Sequence, residues 1–145
     1  MNEFHRPEWA AAVLRVVLGT VMIAHSVYLK LVVFTLPGTA QFFESIGLPG
    51  PLAYLVFGLE AVAGVALVLG YQTRLAAMAV IPVLLGATWA HLGNGWLFTN
   101  NGGGWEYPLV LVALAAGQVF LGSGALALDN LRPGRLPASG ACTNS

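Results

Sequence analysis

The chain has 145 residues, 57% of them hydrophobic and only 8% charged, and its six basic and six acidic side chains cancel. An ordinary soluble domain carries roughly 25% charged residues, and a chain this short cannot hide so much apolar surface from water. These numbers exclude an ordinary water-soluble domain, and neutrality without a basic stretch excludes nucleic acid as a partner. A single cysteine, Cys142, makes no internal disulfide and supplies no thiol pair for a relay.

In chain order, residues 1–8 form a polar N-terminal segment ahead of the first apolar run. Glu3 and Glu8 spoil a positively charged leader and Arg15 interrupts the run behind it, so this run reads as a retained helix rather than a cleaved signal. Four apolar stretches follow, at about 9–34, 52–69, 75–92 and 107–128. Each is long enough to cross a hydrocarbon core, which requires about 20 helical residues. None alternates with period two, which leaves helices as the spanning structure. The predicted fold is all-α: an integral membrane bundle of four transmembrane helices over 9–128, with a short interfacial helix between the first two.

That interfacial helix is expected over residues 39–47, with Thr39 as its N-cap and Gly47 as its stop. Ala40, Phe43 and Ile46 give it an apolar stripe for the membrane surface. Residues 93–108 form a second long loop, rich in Gly and Asn. Its Trp96 and Trp105, with Tyr107, serve either an aromatic belt or the wall of a pocket mouth. Gly86 with Ala90 on the third span, and Ala113 with Gly117 on the fourth, are spaced for close helix approach. Pro82 predicts a kink in the third span. Residues 129–145 read as a loosely ordered tail.

Basic residues set the expected orientation. Arg6, Arg74, Arg132 and Arg135 flank one set of span ends, and the loops 35–51 and 93–106 hold no Lys or Arg. The positive-inside rule places both termini and the turn at Arg74 on the cytoplasmic side. Lys30, inside the outer end of span one, snorkels outward.

The polar residues within the spans carry the functional reading. A charge at mid-membrane costs about 2.5–3.5 kcal/mol unless it is paired. Arg15 on span one and Glu60 on span two approach each other in depth and are expected to form a buried ion pair, with Asp129 as the competing partner for Arg15. The pair either sets helix register or presents a proton-accepting, ligand-holding carboxylate. His25, His91, Glu106 and Lys30 fall at similar outer depth. Each histidine is either a helix–helix hydrogen-bond contact or a ligand group. Together with Trp105 and Tyr107, the set offers hydrogen bonds to a quinone or similar small aromatic molecule. No HxxxH-like spacing is present, so neither a metal nor a haem is expected.

Several motifs resemble the DoxX family of small bacterial membrane proteins. They are R-x-x-L-G-x-x-x-x-x-H-x-x-x-x-K-L (Arg15 to Leu31), F-F-x-x-x-G-L-P (Phe42 to Pro49), and Glu60 followed by L-x-L-G-x-x-T-R (Leu67 to Arg74). G-W-E-Y-P-L (104–109) and G-S-G-A-L-A-L-D (122–129) complete the set. The resemblance covers about residues 10–130. Ser26 departs from it, since the family usually has Gly after the histidine. The resemblance implies a four-helix membrane bundle and links relatives with thiosulfate:quinone oxidation, quinone or catechol resistance and oxidative-stress complexes.

The expected function is therefore a redox-associated inner-membrane protein that binds a quinone or small aromatic ligand in the outer half of the bundle. No catalytic residue is assigned. Enzymatic activity would arise as a subunit of a quinone-linked oxidoreductase, with a redox partner subunit or a homo-oligomer as the protein partner. A structural or assembly subunit is the alternative, and a small oligomeric transporter or efflux unit the third.

Overall fold

A computed structural model of the chain describes residues 6–131. Arg132, Arg135 and Cys142, and most of the expected tail, lie outside the described residues. Those described are helical, with no strand among them. Helix α1 (Pro7–Ile23) starts on a proline whose fixed φ suits the first helical position, with Glu8 against the positive end of the helix. It continues without a break as a π-helical segment, Ala24–Val33. Helix α2 is Leu36–Ser45, α3 is Leu52–Leu69, α4 is Thr73–His91 and α5 is Glu106–Leu121. Short 3-10 turns occupy Leu92–Asn94 and Leu128–Leu131.

Three helices are long and apolar enough to cross a bilayer: Pro7–Val33, Leu52–Leu69 and Thr73–Asn94. Helix α5 is apolar but has only 16 residues, and it ends well before the expected Leu128. Gly122 (φ +77°), Gly124 (φ +68°) and Leu126 (φ +54°) adopt left-handed backbone angles that a helix cannot continue through. Helix α2 also differs from its expected bounds. Thr35, not Thr39, is its cap and accepts from the Gly38 N–H at 3.2 Å. Thr39 is instead buried, its hydroxyl donating to Thr35 O at 2.9 Å. Helix α4 runs through Pro82.

The long helices pack in neighbouring pairs: α1 on α3, α3 on α4, α4 on α5, and α5 back on α1. Their common core contains Leu18, Met22, Leu67, Val80, Leu111 and Ala115. Helices α1 and α3 approach closely at Gly19 and Gly64, where a Cβ on Gly19 would stand 2.7 Å from the Gly64 carbonyl oxygen. Gly86 and Gly117, expected at such contacts, have open space around them.

Polarity is inverted relative to a soluble protein. Val13, Val17, Leu55, Val62, Trp89 and Phe120 are exposed, while Arg15, Glu60, Gln118 and Asp129 are buried. Exposed apolar faces with buried charges suit lipid as the surrounding solvent. One end of the assembly carries the start of α1, the α3–α4 turn and the end of α5, and is called the tail end below. The other carries α2 and residues 93–105, and is called the loop end.

Candidate functional site

The polar side chains sort into two groups. At the tail end, α3 stops at Gly70, whose φ of +69° is left-handed. A Cβ there would strike the guanidinium of Arg15 and Ala127. Arg15, 1% exposed, donates through Nη1 to Leu67 O and Val68 O, both at 3.1 Å. Its Nη2 donates to Ala125 O at 3.0 Å. The last carbonyls of a helix lack partners and lie at the negative end of its dipole, so a buried cation belongs there.

Helix α4 begins one turn later with no capping side chain of its own. Asp129 supplies the cap from the other end of the chain, accepting from Gln72 N at 2.8 Å, Thr73 N at 3.0 Å and Ser123 Oγ at 2.7 Å. Burial alone pushes the Asp129 carboxyl up, but the hydrogen bonds from Ser123, Thr73 and Gln72 outweigh it and hold the group below the ordinary carboxylate range. Gln118 joins α5 to α1 by donating to Ala11 O at 3.2 Å.

The expected Arg15–Glu60 pair does not form. With Gly19 against Gly64 in antiparallel helices, Arg15 lies level with residue 68. Glu60 is eight residues away along α3, about 12 Å at 1.5 Å per residue. The α3 carbonyls are nearer, and Arg15 takes them. Glu60, 4% exposed, pairs instead with Lys30 of the π-helical segment. That segment has its own polar fixings. His25 Nδ1 meets Val21 O at 3.0 Å, and the Ser26 hydroxyl, fully buried, donates to Met22 O at 2.9 Å and Ile23 O at 3.2 Å. These bonds fall where α-helical pairing gives way to π-helical pairing and backbone carbonyls need new partners. At the far end Thr39 Oγ1 lies 3.4 Å from Lys30 O, which ties α2 to the segment.

The remaining candidates meet along one short strip, Gly103–Tyr107. His91 Nδ1 lies 3.2 Å from Gly103 O. Asn94 Nδ2 donates to Gly102 O at 3.0 Å and Gly103 O at 2.9 Å, holding the loop beneath His91. Trp105 packs edge-on against Trp96, ring centroids 4.4 Å apart. Glu106 Oε1 accepts from Phe98 N at 3.2 Å. The Tyr107 ring stacks on His25 at 5.8 Å. Gly103 and Tyr107 are four residues apart, at most about 14 Å of extended chain. Both histidines are therefore neighbours of one strip, although among the described residues no hydrogen bond joins them. A carbonyl oxygen only accepts, so His25 Nδ1 donates to Val21 O, whereas His91 Nδ1 faces both Gly103 O and, at 3.3 Å, the Asn94 amide nitrogen, and its role depends on the tautomer. Among the described residues no three His, Cys, Asp or Glu gather as a metal site.

Sequence reading missed the work of Ser26, Asn94, Gln118 and Ser123. A signal for part of it was present: Gly122-Ser123-Gly124 is turn chemistry, and Asp129 follows it at a distance that a folded-back segment spans.

Comparison with known proteins adds the following. The family model DoxX matches residues 10–93. A protein of Bacillus subtilis (strain 168) named "Putative oxidoreductase CatD" is 32% identical over 123 residues, 84% of this chain and 86% of that one. No solved structure matches the chain.

Proposed function

Because this chain belongs to the DoxX family of membrane proteins, we propose that it is a redox-associated protein of the bacterial inner membrane that binds a quinone or a similar small aromatic molecule at its loop end. In this reading α1 with its π-helical extension, α3, α4 and α5 all span the membrane, α2 lies in the interface, and both termini are cytoplasmic. Helix α5 alone is short, about 24 Å at 1.5 Å per residue. Leu126, Leu128 and Leu131, in the segment that folds back over the tail end, are exposed apolar side chains beyond it.

The observation that carries the proposal is the convergence of His25, His91, Glu106 and two tryptophans on the strip that ends in Tyr107. Aromatic walls suit a flat ring. The Lys30 ammonium and the Tyr107 hydroxyl supply donors to carbonyl oxygens, and the imidazoles and Glu106 offer hydrogen-bond partners to hydroxyls. The related protein's printed name, an oxidoreductase, supports redox chemistry as the setting.

Titration of the purified protein with duroquinone, followed by tryptophan fluorescence, tests this. Saturable quenching is expected, with affinity about tenfold lower in His25→Ala, the scale of one lost aromatic contact. Quenching that never saturates, or is unchanged in the variant, contradicts it.

A structural or assembly role is the second reading. It is favoured by the fact that His25, His91 and Glu106 all bond to the protein's own backbone. Undiminished assembly of a partner complex with His25→Ala/His91→Ala, together with no quenching, would support it.

A further inference from the structure

The two polar groups lie on the same helices yet do not communicate. Leu67, which accepts from Arg15, and Glu60 are seven residues apart on α3, about 10 Å. The space between is filled by Leu18, Met22, Ala63, Val80 and Ala115, all buried. Gly19 and Gly64 bring the α1 and α3 backbones together in the same layer, leaving less room than a methyl group needs. Ser26 is buried close by, but its hydroxyl is committed to carbonyls of its own helix. A buried water needs two or more polar partners, and the side chains of Leu18, Met22, Ala63, Val80 and Ala115 supply none.

Below the layer, the tail end is stoppered. Residues 122–131 fold back over it, with Ala127 against Gly70, Gly124 against Ala11 and Ala12, and Asp129 on the head of α4. Above it, α2 packs on α3 and on the π-helical segment, tied to Lys30 by Thr39. The side chain of Lys30 is 17% exposed, against 5% for Glu60.

We propose that the Lys30–Glu60 pair is a one-sided site: protons and small polar or aromatic solutes reach it from the loop end only, past α2, and the apolar layer with its stopper seals it from the tail end. The molecule is then not a path across the membrane. A reaction at this site takes its substrate from, and returns its product and protons to, the loop side. This goes beyond the ligand reading above and does not depend on which ligand binds.

The test is labelling by a small cationic methanethiosulfonate in vesicles of both orientations, on a Cys142→Ser background. Asn101→Cys reports the loop end and Arg74→Cys the tail end. Lys30→Cys, and Lys30→Cys/Glu60→Gln in case the single variant fails to fold, report the site. Leu67→Cys, at a fully buried position, reports the tail-side edge of the layer. The expected result is labelling of residue 30 only from the face that labels Asn101→Cys, and no labelling of Leu67→Cys from either face. Labelling of residue 30 from the Arg74 face, labelling of Leu67→Cys, or a residue 30 silent from both faces overturns the proposal. No quinone enters this experiment, so its failure and a failure to bind duroquinone are separate results.

Discussion

Arg15 and Asp129 are opposite charges serving opposite helix ends, and their roles differ from the one an isolated charge suggests. Asp129 holds two backbone N–H groups and the Ser123 hydroxyl. Hydrogen bonds to a charged acceptor are worth about 1.5–3 kcal/mol each on removal. Asp129→Asn is expected to lose stability on that scale, read as a lower thermal midpoint in detergent. Because the folded carboxyl sits below its ordinary range, its contribution is present above the unfolded pKa of about 3.9 and is lost as pH falls through the lower folded value. The gap between wild type and Asp129→Asn should therefore close in acid and stay constant near neutrality. Lys30→Met leaves Glu60 buried without its partner and is expected to cost about 3–5 kcal/mol, whereas Lys30→Met/Glu60→Leu recovers most of it. Equal thermal midpoints for the single and double variants would contradict the pairing. The burial of Arg15 and Glu60 was legible in the sequence, since each lies in an apolar run, whereas the burial of Asp129, read as part of a loose tail, was not. The Lys30 partner of Glu60 and the α3 carbonyls that hold Arg15 were not legible either. Depth along a helix is readable, but rotation and inter-helix register are set by contacts such as Gly19 on Gly64, which one sequence does not reveal.

Among the elements, α3 was read with its observed bounds, because an unbroken apolar run ending in Gly leaves little choice. Helix α5 was over-extended, because Leu126 and Leu128 keep the stretch apolar after the glycines have stopped the helix. The π-helical form of Ala24–Val33 has no signature in composition. It turns His25 and Lys30 through angles that a uniform 100° step misjudges. Small-residue spacing pointed to α4 and α5, and these helices do pack on each other, but not through Gly86 and Gly117, whereas the glycines that do meet are Gly19 of α1 and Gly64 of α3. Gly19→Ala is accordingly expected to destabilise by about 1–3 kcal/mol, since backbone rather than a flexible side chain blocks the new methyl. Gly86→Ala and Gly117→Ala, with open space around them, should leave the thermal midpoint unchanged or slightly raised.

For the whole molecule, composition foretold a membrane protein and the long, non-alternating apolar runs foretold helices, and the helical elements, the exposed apolar faces and the DoxX match agree with that. The start of α1 and the end of α5 lie at one end of the assembly, so reporters on the two termini should read the same side. Fluorescence of a C-terminal green fluorescent protein fusion is expected with cytoplasmic termini, and a dark fusion would reverse the orientation. The candidate site was legible as a set of residues at one depth, but not as the strip Gly103–Tyr107 that gathers them, because that loop's folding depends on Asn94 and backbone bonds. The central claim is that this strip and its histidines hold a small aromatic ligand. Native mass spectrometry of the protein extracted in mild detergent and incubated with duroquinone tests it most directly. The account predicts a stoichiometric adduct on the wild type that is lost in His25→Ala while the variant stays folded. A wild type that remains bare, or an adduct indifferent to His25, would contradict it.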